Sequence, residues 1–134
     1  VAPECYDVGH IDEALGLVAE GLLSHPLHFQ FVLGVPGGIG ARESVVAFMA
    51  SQIPQGTTWS VATAGSRQKS VSEVAMRLGG HVRVGIEDDV LPDHAMAAGS
   101  VAGLVREALL FAQSIRREVV DPTRARQLLG VAIG

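Results

Sequence analysis

Arg83, Glu87 and Asp88 crowd the segment His81-Val82-Arg83-Val84-Gly85-Ile86-Glu87-Asp88. Gathering an arginine and two carboxylates at one strand end costs on the order of several kcal/mol unless they pair with one another or hold a metal. Two readings satisfy that demand. In the first the three groups form an internal salt bridge and nothing more. In the second Glu87 ligates a divalent metal, Asp88 transfers a proton, and Arg83 holds an anionic substrate group or steadies that base. Gly34-Val35-Pro36-Gly37-Gly38-Ile39-Gly40 is a second candidate. Exposed N–H groups between a strand and a helix receive anions, although this run matches no nucleotide fingerprint and also reads as a tight turn without a ligand.

The histidines at 10, 25, 28, 81 and 94 form no His-x-His or His-x-x-x-His pair and read singly as packing or surface residues. Ser66 has no triad spacing. Cys5 is the only cysteine, which rules out an internal disulfide and a thiolate zinc cluster and leaves a packing role.

Four strand-like segments, each followed by a helical pattern, must position these groups: Glu4–Val8, His28–Val35, Thr58–Ala62 and His81–Ile86. Apolar residues at helical spacing predict helices over Ile11–Leu23, Ser44–Gln52, Val71–Leu78 and Val101–Ile115. The second is closed by Pro54 and the third stops at Gly79-Gly80. A last helix over Pro122–Leu129 opens on Asp121-Pro122, a capping residue followed by proline at the first helical position. Pro54–Thr58 and Asp89–Ser100 are the loosest stretches. Strands start at roughly 25-residue intervals, near the ~30 residues per unit of a ~250-residue eight-unit barrel. The expected fold is therefore α/β, a single domain over residues 1–134 whose parallel βα units make about half of a TIM (β/α)8 barrel.

An open doubly wound sheet of flavodoxin type is the rival, since it alternates the same elements. Strand faces separate the two. Val82, Val84 and Ile86 alternate against His81, Arg83, Gly85 and Glu87, and Phe29 and Phe31 against His28 and Gln30. A central strand covered by helices on both faces is apolar on both. A barrel strand shows an apolar face to its helices and sends polar groups toward an active-site mouth. On that basis the residues at strand C-terminal ends become the site candidates: Glu4 and Asp7, Gly34–Gly40, Thr63–Arg67, and Arg83, Glu87 and Asp88.

The chain has 134 residues, 48% of them hydrophobic, with a mean hydropathy of +0.32, which is apolar enough to fold. Ten Lys and Arg against 14 Asp and Glu leave a net charge of -4 with no like-charge block, which argues against nucleic acid as a partner. No apolar run is long enough for a bilayer and no secretory leader pattern opens the chain, so the expectation is a cytoplasmic protein without a membrane partner.

The run Gly79-Gly80-His81-Val82-Arg83-Val84-Gly85-Ile86-Glu87-Asp88 resembles the β-keto acid cleavage enzymes. Supporting segments follow the family order: Glu4-Cys5-Tyr6-Asp7-Val8-Gly9-His10, Pro26 to Val35 with Gly37-Gly38-Ile39, Trp59-Ser60-Val61, and Asp121-Pro122 with Ala125-Arg126 and Leu128-Leu129-Gly130. The resemblance covers nearly the whole chain but only the second half of the family's length. It implies a zinc-dependent Claisen-type exchange, as transferase and lyase, in which a β-keto acid and acetyl-CoA become acetoacetate and a new acyl-CoA. It assigns Glu87 to the metal, Arg83 to the active-site arginine, Asp88 to the base and Glu4 to the substrate's distal end.

Gly34, Gly37 and Gly38 are taken as further substrate contacts through their N–H groups. The family's other zinc ligands, a His-x-His pair, have no counterpart here, so this half alone is expected to be inactive. Gly65-Ser66-Arg67-Gln68 departs from the family's Gly-Arg-x-Gln, and Asp89 adds a charge that raises the pKa of Asp88. The alternative reading is a non-catalytic half-barrel that forms a homo-oligomer over its edge strands and binds a phosphate compound at the glycine loop.

Overall fold

The computed structural model describes residues 1–89 and 100–131, the side chain of Asp89 excepted. Its order is β1 (Glu4–Cys5), α1 (Gly9–Ala19), β2 (His28–Leu33), α2 (Glu43–Gln52), β3 (Thr58–Thr63), α3 (Gln68–Arg77), β4 (His81–Val82), α4 (Ile86–Asp89), α5 (Val101–Ser114) and α6 (Pro122–Leu128). The four strands are parallel and lie in sequence order, β1-β2-β3-β4. That order decides between the two expected folds. Parallel crossovers are right-handed, so successive crossovers in one direction put every helix on the same face. A doubly wound sheet reverses direction and places helices on both.

The core agrees. Cys5, Phe29, Phe31, Leu33, Trp59 and Val61 form one face of the sheet and pack with Ile11 and Ala14 of α1, Val45, Val46 and Met49 of α2, and Val71 and Ala75 of α3. Phe31 stacks on Trp59 with ring centroids 5.3 Å apart. Each fully buried large apolar side chain contributes roughly 1.5–3 kcal/mol, so this layer is the main hold between sheet and helices. The opposite face carries Glu4, Gln30, Ser60 and His81, which the strand register sets side by side in one row. An apolar helix-facing side and a polar inner side are the arrangement of half a TIM barrel.

Helix ends follow local chemistry. Ser100 and Asp121 accept hydrogen bonds from the N–H groups of Gly103 and Arg124 at 3.0 and 2.9 Å, capping α5 and α6. α2 ends as Ile53 turns extended ahead of Pro54. Arg117 donates to the carbonyl oxygens of Met76 and Gly79, and Arg77 lies 5.0 Å from the Phe111 ring centroid, which together fasten α5 to the end of α3. No helix among the described residues is long and apolar enough to cross a membrane.

Several expected boundaries are corrected. The first strand is Glu4–Cys5 rather than Glu4–Val8, because α1 begins at Gly9 and His10 already donates to the Asp7 carbonyl. The second ends at Leu33, and the third runs on to Thr63. α1 stops at Ala19, ahead of Gly21, and α3 starts at Gln68, three residues before the apolar period becomes visible. The largest change is in the last strand. It ends at Val82, with one further bond from Arg83 N–H to Val61, and Gly85–Asp88 then coils into the turn that opens α4. Glu87 and Gly85 therefore do not alternate with Ile86 on a strand. Most of the loose Asp89–Ser100 stretch, with His94, lies outside the described residues.

Candidate functional site

β4 delivers Arg83 to the C-terminal end of the sheet, and the turn after it brings both carboxylates back to the guanidinium. Arg83 Nη2 lies 3.4 Å from Glu87 Oε1 and 3.4 Å from Asp88 Oδ1, while Nη1 lies 3.4 Å from Glu4 Oε1 across the sheet. One cation thus faces three carboxylates from two segments about 80 residues apart in the chain. These contacts are long for charge-assisted hydrogen bonds, so no carboxylate is firmly locked to the arginine. Exposure separates their roles. The Glu87 side chain is 78% exposed, whereas that of Asp88 is 15% exposed.

The turn is clamped from β3 and α3. Gly65 N–H donates to the Asp88 carbonyl at 2.7 Å, and Asp88 N–H closes onto the Gly85 carbonyl at 3.2 Å. Gln68, buried at the start of α3, donates through Nε2 to the carbonyls of Gly85 and Thr63, both at 3.4 Å. Asp88 Oδ2, Gln68 Oε1 and Thr63 Oγ1 are buried without a hydrogen-bond partner among the described residues. Burial pushes the Asp88 carboxyl above its ordinary value, Arg83 pulls it back, and Glu87 and Glu4 add to the rise. The side chain of Asp89, expected to contribute to that rise, lies outside the described residues.

Tyr6, on the segment after β1, donates its hydroxyl to Glu4 Oε2 at 3.1 Å, and that bond and the carboxylate charge hold the phenol above its ordinary pKa. The Tyr6 backbone N–H donates to His10 Nδ1 at 3.0 Å, and its carbonyl accepts from Ile39 N–H at 2.7 Å. Tyr6 therefore joins the glycine loop to Glu4. In that loop the N–H groups of Gly34, Gly38 and Ile39 are engaged with Ile39, Val35 and Tyr6 carbonyls. Gly34 has φ +83°, and a Cβ there would stand 2.8 Å from the Ala64 carbonyl oxygen; one on Gly38 would stand 2.9 Å from that of Tyr6. Close packing of three strand ends accounts for both glycines. Gly37 sits at the exposed tip of the same turn.

Other candidates lie apart. Asp7 is exposed in the turn into α1, Arg67 and Ser66 are exposed ahead of α3, and Thr63 is buried. His28 and His81 stand at the N-terminal ends of their strands, with ring centroids 6.1 Å apart. The His28 ring nitrogens are 3.1 Å from Thr58 Oγ1 and 2.9 Å from Ser60 Oγ, a hydrogen-bonded packing role far down the sheet from Asp88. Cys5 is fully buried and burial pushes its thiol up to about 11, which fits packing rather than reactivity.

Glu87 fits a metal as one exposed carboxylate donor, but among the described residues no three His, Cys, Asp or Glu side chains converge to hold an ion. A catalytic zinc takes three protein ligands and an open position, and Glu87 is a single donor of that kind among the described residues.

A family model described as beta-keto acid cleavage enzyme matches residues 1–131. The chain belongs to this family. It is 41% identical over 128 residues to the 3-keto-5-aminohexanoate cleavage enzyme of Fusobacterium nucleatum, covering 96% of this chain and 46% of that protein. It is 37% identical over 134 residues to the enzyme of the same name from Acetoanaerobium sticklandii, covering 98% and 49%. To the 3-oxoadipate:acetyl-CoA acetyltransferase of Cupriavidus necator it is 31% identical over 131 residues, covering 96% and 46%. The chain spans about half the length of these relatives, as a half-barrel requires. Tyr6 and Gln68 are site contacts that the amino-acid sequence did not single out. The available signal for Gln68 was a polar residue directly ahead of an apolar helical period; for Tyr6 it was a hydroxyl two residues from Glu4.

Proposed function

We propose that the protein carrying this chain exchanges a β-keto acid with acetyl-CoA to give acetoacetate and a new acyl-CoA. The observation that supports this most is the convergence of Glu4, Glu87 and Asp88 on Arg83 at the C-terminal end of a half-barrel sheet. Each group suits one task. Arg83 offers a donor fork for the substrate carboxylate, and its long contacts leave that fork free to be competed for. Asp88, mostly buried and with one oxygen unpartnered among the described residues, removes a proton from the carbon between the keto and carboxylate groups. Its raised pKa makes it a better base than a solvated carboxylate.

Glu87 is the ligand this chain supplies to zinc, the remaining ligands coming from residues outside it. Zinc, when bound, polarises the keto oxygen as a Lewis acid. Glu4, held by Tyr6, faces the far end of the substrate and favours a cationic group there. The relatives' names, which include a 3-keto-5-aminohexanoate cleavage enzyme and an acetyl-CoA acetyltransferase of 3-oxoadipate, support an acyl exchange with acetyl-CoA.

The test uses the full-length protein. Acetoacetate formation is followed across β-keto acids with cationic, neutral and anionic distal groups, beside metal analysis. Dependence of turnover on both acetyl-CoA and zinc is expected, with Glu87→Gln folded, depleted of zinc and inactive. Unchanged turnover in Glu87→Gln contradicts the ligand assignment.

A further inference from the structure

We infer that Gln68 is a positioning residue of the site: its side-chain amide sets the Gly85–Asp88 turn so that Glu87 and Asp88 meet Arg83. Gln68 sits on α3, outside the strand-end groups that face the substrate, and is 5% exposed. Its Nε2 spans from the end of β3, at the Thr63 carbonyl, to the Gly85 carbonyl that opens the turn. The Gly85 carbonyl also accepts the N–H of Asp88, so one oxygen joins the amide of Gln68 to the backbone of the proposed base. A second tie, Gly65 N–H to the Asp88 carbonyl, fixes the far end of the same turn.

A buried glutamine is an expensive choice for holding a helix start. Its Oε1 is buried without a partner among the described residues, a penalty that methionine or leucine of similar size escapes. Packing alone therefore favours an apolar residue at this position. What only the amide provides is a donor reaching two carbonyls at once. The need for such a donor follows from the neighbourhood: among the described residues Asp88 Oδ2 and Thr63 Oγ1 are also buried and unpartnered, and the contacts of Arg83 are long. The 3.4 Å contacts of Gln68 are as long as those of Arg83, but they meet the turn at its backbone, beside the 2.7 Å bond from Gly65 N–H, and together these ties decide where the carboxylates stand.

This inference rests on the reading of Arg83, Glu87 and Asp88 as the reacting groups, and its test separates the two. In the full-length protein, Gln68→Met keeps the length of the side chain and removes the donor. Amide exchange at Gly65 and Asp88 is expected to accelerate at least about tenfold, with Phe31 and Val61 unchanged. The turnover number is expected to fall by about tenfold or more while the KM for acetyl-CoA and the zinc content stay within about twofold, since a site misplaced by an ångström loses rate before it loses binding. Unaltered exchange at Gly65 and Asp88 overturns the clamp. Faster exchange with undiminished turnover overturns its role in positioning. Wild-type protein that forms no acetoacetate overturns the functional reading, and the exchange result then judges the clamp by itself. Should Gln68→Met fail to fold, Gln68→Glu, which keeps the shape and loses the amide donor when ionised, carries both arms.

Discussion

Arg83 faces three carboxylates at distances and exposures that make it a weak staple. Its side chain is 40% exposed, and exposed ion pairs of this kind contribute about 0–1 kcal/mol each. The proposed exchange depends on it more than folding does. Arg83→Met is expected to change stability by no more than about 1 kcal/mol in urea unfolding. In the full-length protein its turnover is expected to fall roughly 10²-fold or more, the size of effect seen when a charge-stabilising donor is removed from a reacting site. A large loss of stability with turnover intact would restore the purely structural salt bridge.

On the polar face of the sheet, burial lowers the pKa of His28, with the charge of His81 acting in the same direction. Burial, then Arg117, lowers that of His81. The unfolded chain binds these protons near the ordinary histidine value of 6.5 while the folded chain resists them. Stability from this pair is complete above that value and declines as the pH falls below it toward the lowered folded values. Denaturant midpoints compared between about pH 7.5 and about pH 5.5 should drop for the wild type and drop less for His81→Gln.

At the scale of elements, β2, β3 and the loop between β2 and α2 hold the site. Gly34→Ala puts a Cβ against the Ala64 carbonyl at positive φ and is expected to destabilise by more than about 1 kcal/mol. Trp59→Ala, which empties the ring stacked on Phe31, is expected to cost about 3–5 kcal/mol. Thermal or urea unfolding measures both, and equal small effects would contradict the packing described. The period-two patterns of Phe29, Phe31 and Leu33 and of Trp59 and Val61 were legible in the sequence because one face is buried by helices and the other is not.

The end of the last strand was not legible. Val84 and Ile86 continue the apolar alternation, but Gly85 breaks it, and the tie from Gln68 to the Gly85 carbonyl is a tertiary contact that no local pattern encodes. The start of α3 was missed for the same reason. Of the site, Arg83, Glu87, Asp88 and Glu4 were readable as charged residues at strand ends, whereas Tyr6, which ties Glu4 to the glycine loop, and Gln68, which reaches the Gly85 carbonyl, act through contacts that residue type does not reveal.

For the whole molecule, the sheet has an outer edge at β4. Arg83 N–H points back to Val61, so alternation along the strand turns the N–H of Val82 to the side that no other strand covers among the described residues. Beside that edge lies an apolar cleft of about 290 Å³, lined by Val82, Val84, Val105, Leu109, Val119 and Leu128. A closed barrel leaves no edge amide unpaired. In a protein whose barrel closes at β4, amide exchange at Val82 should therefore be slower than in the 134-residue chain by itself. Equal rates in the two would argue against closure at β4.

The fate of the acetyl group decides the proposed acyl exchange. Full-length protein is given a β-keto acid and acetyl-CoA labelled at the acetyl carbonyl carbon, and the products are read by carbon NMR. The account predicts the label at the keto carbon of acetoacetate, with an unlabelled acyl-CoA formed in equal amount and both lost in Glu87→Gln. Label recovered as free acetate, or left in acetyl-CoA while the keto acid is consumed, would contradict it.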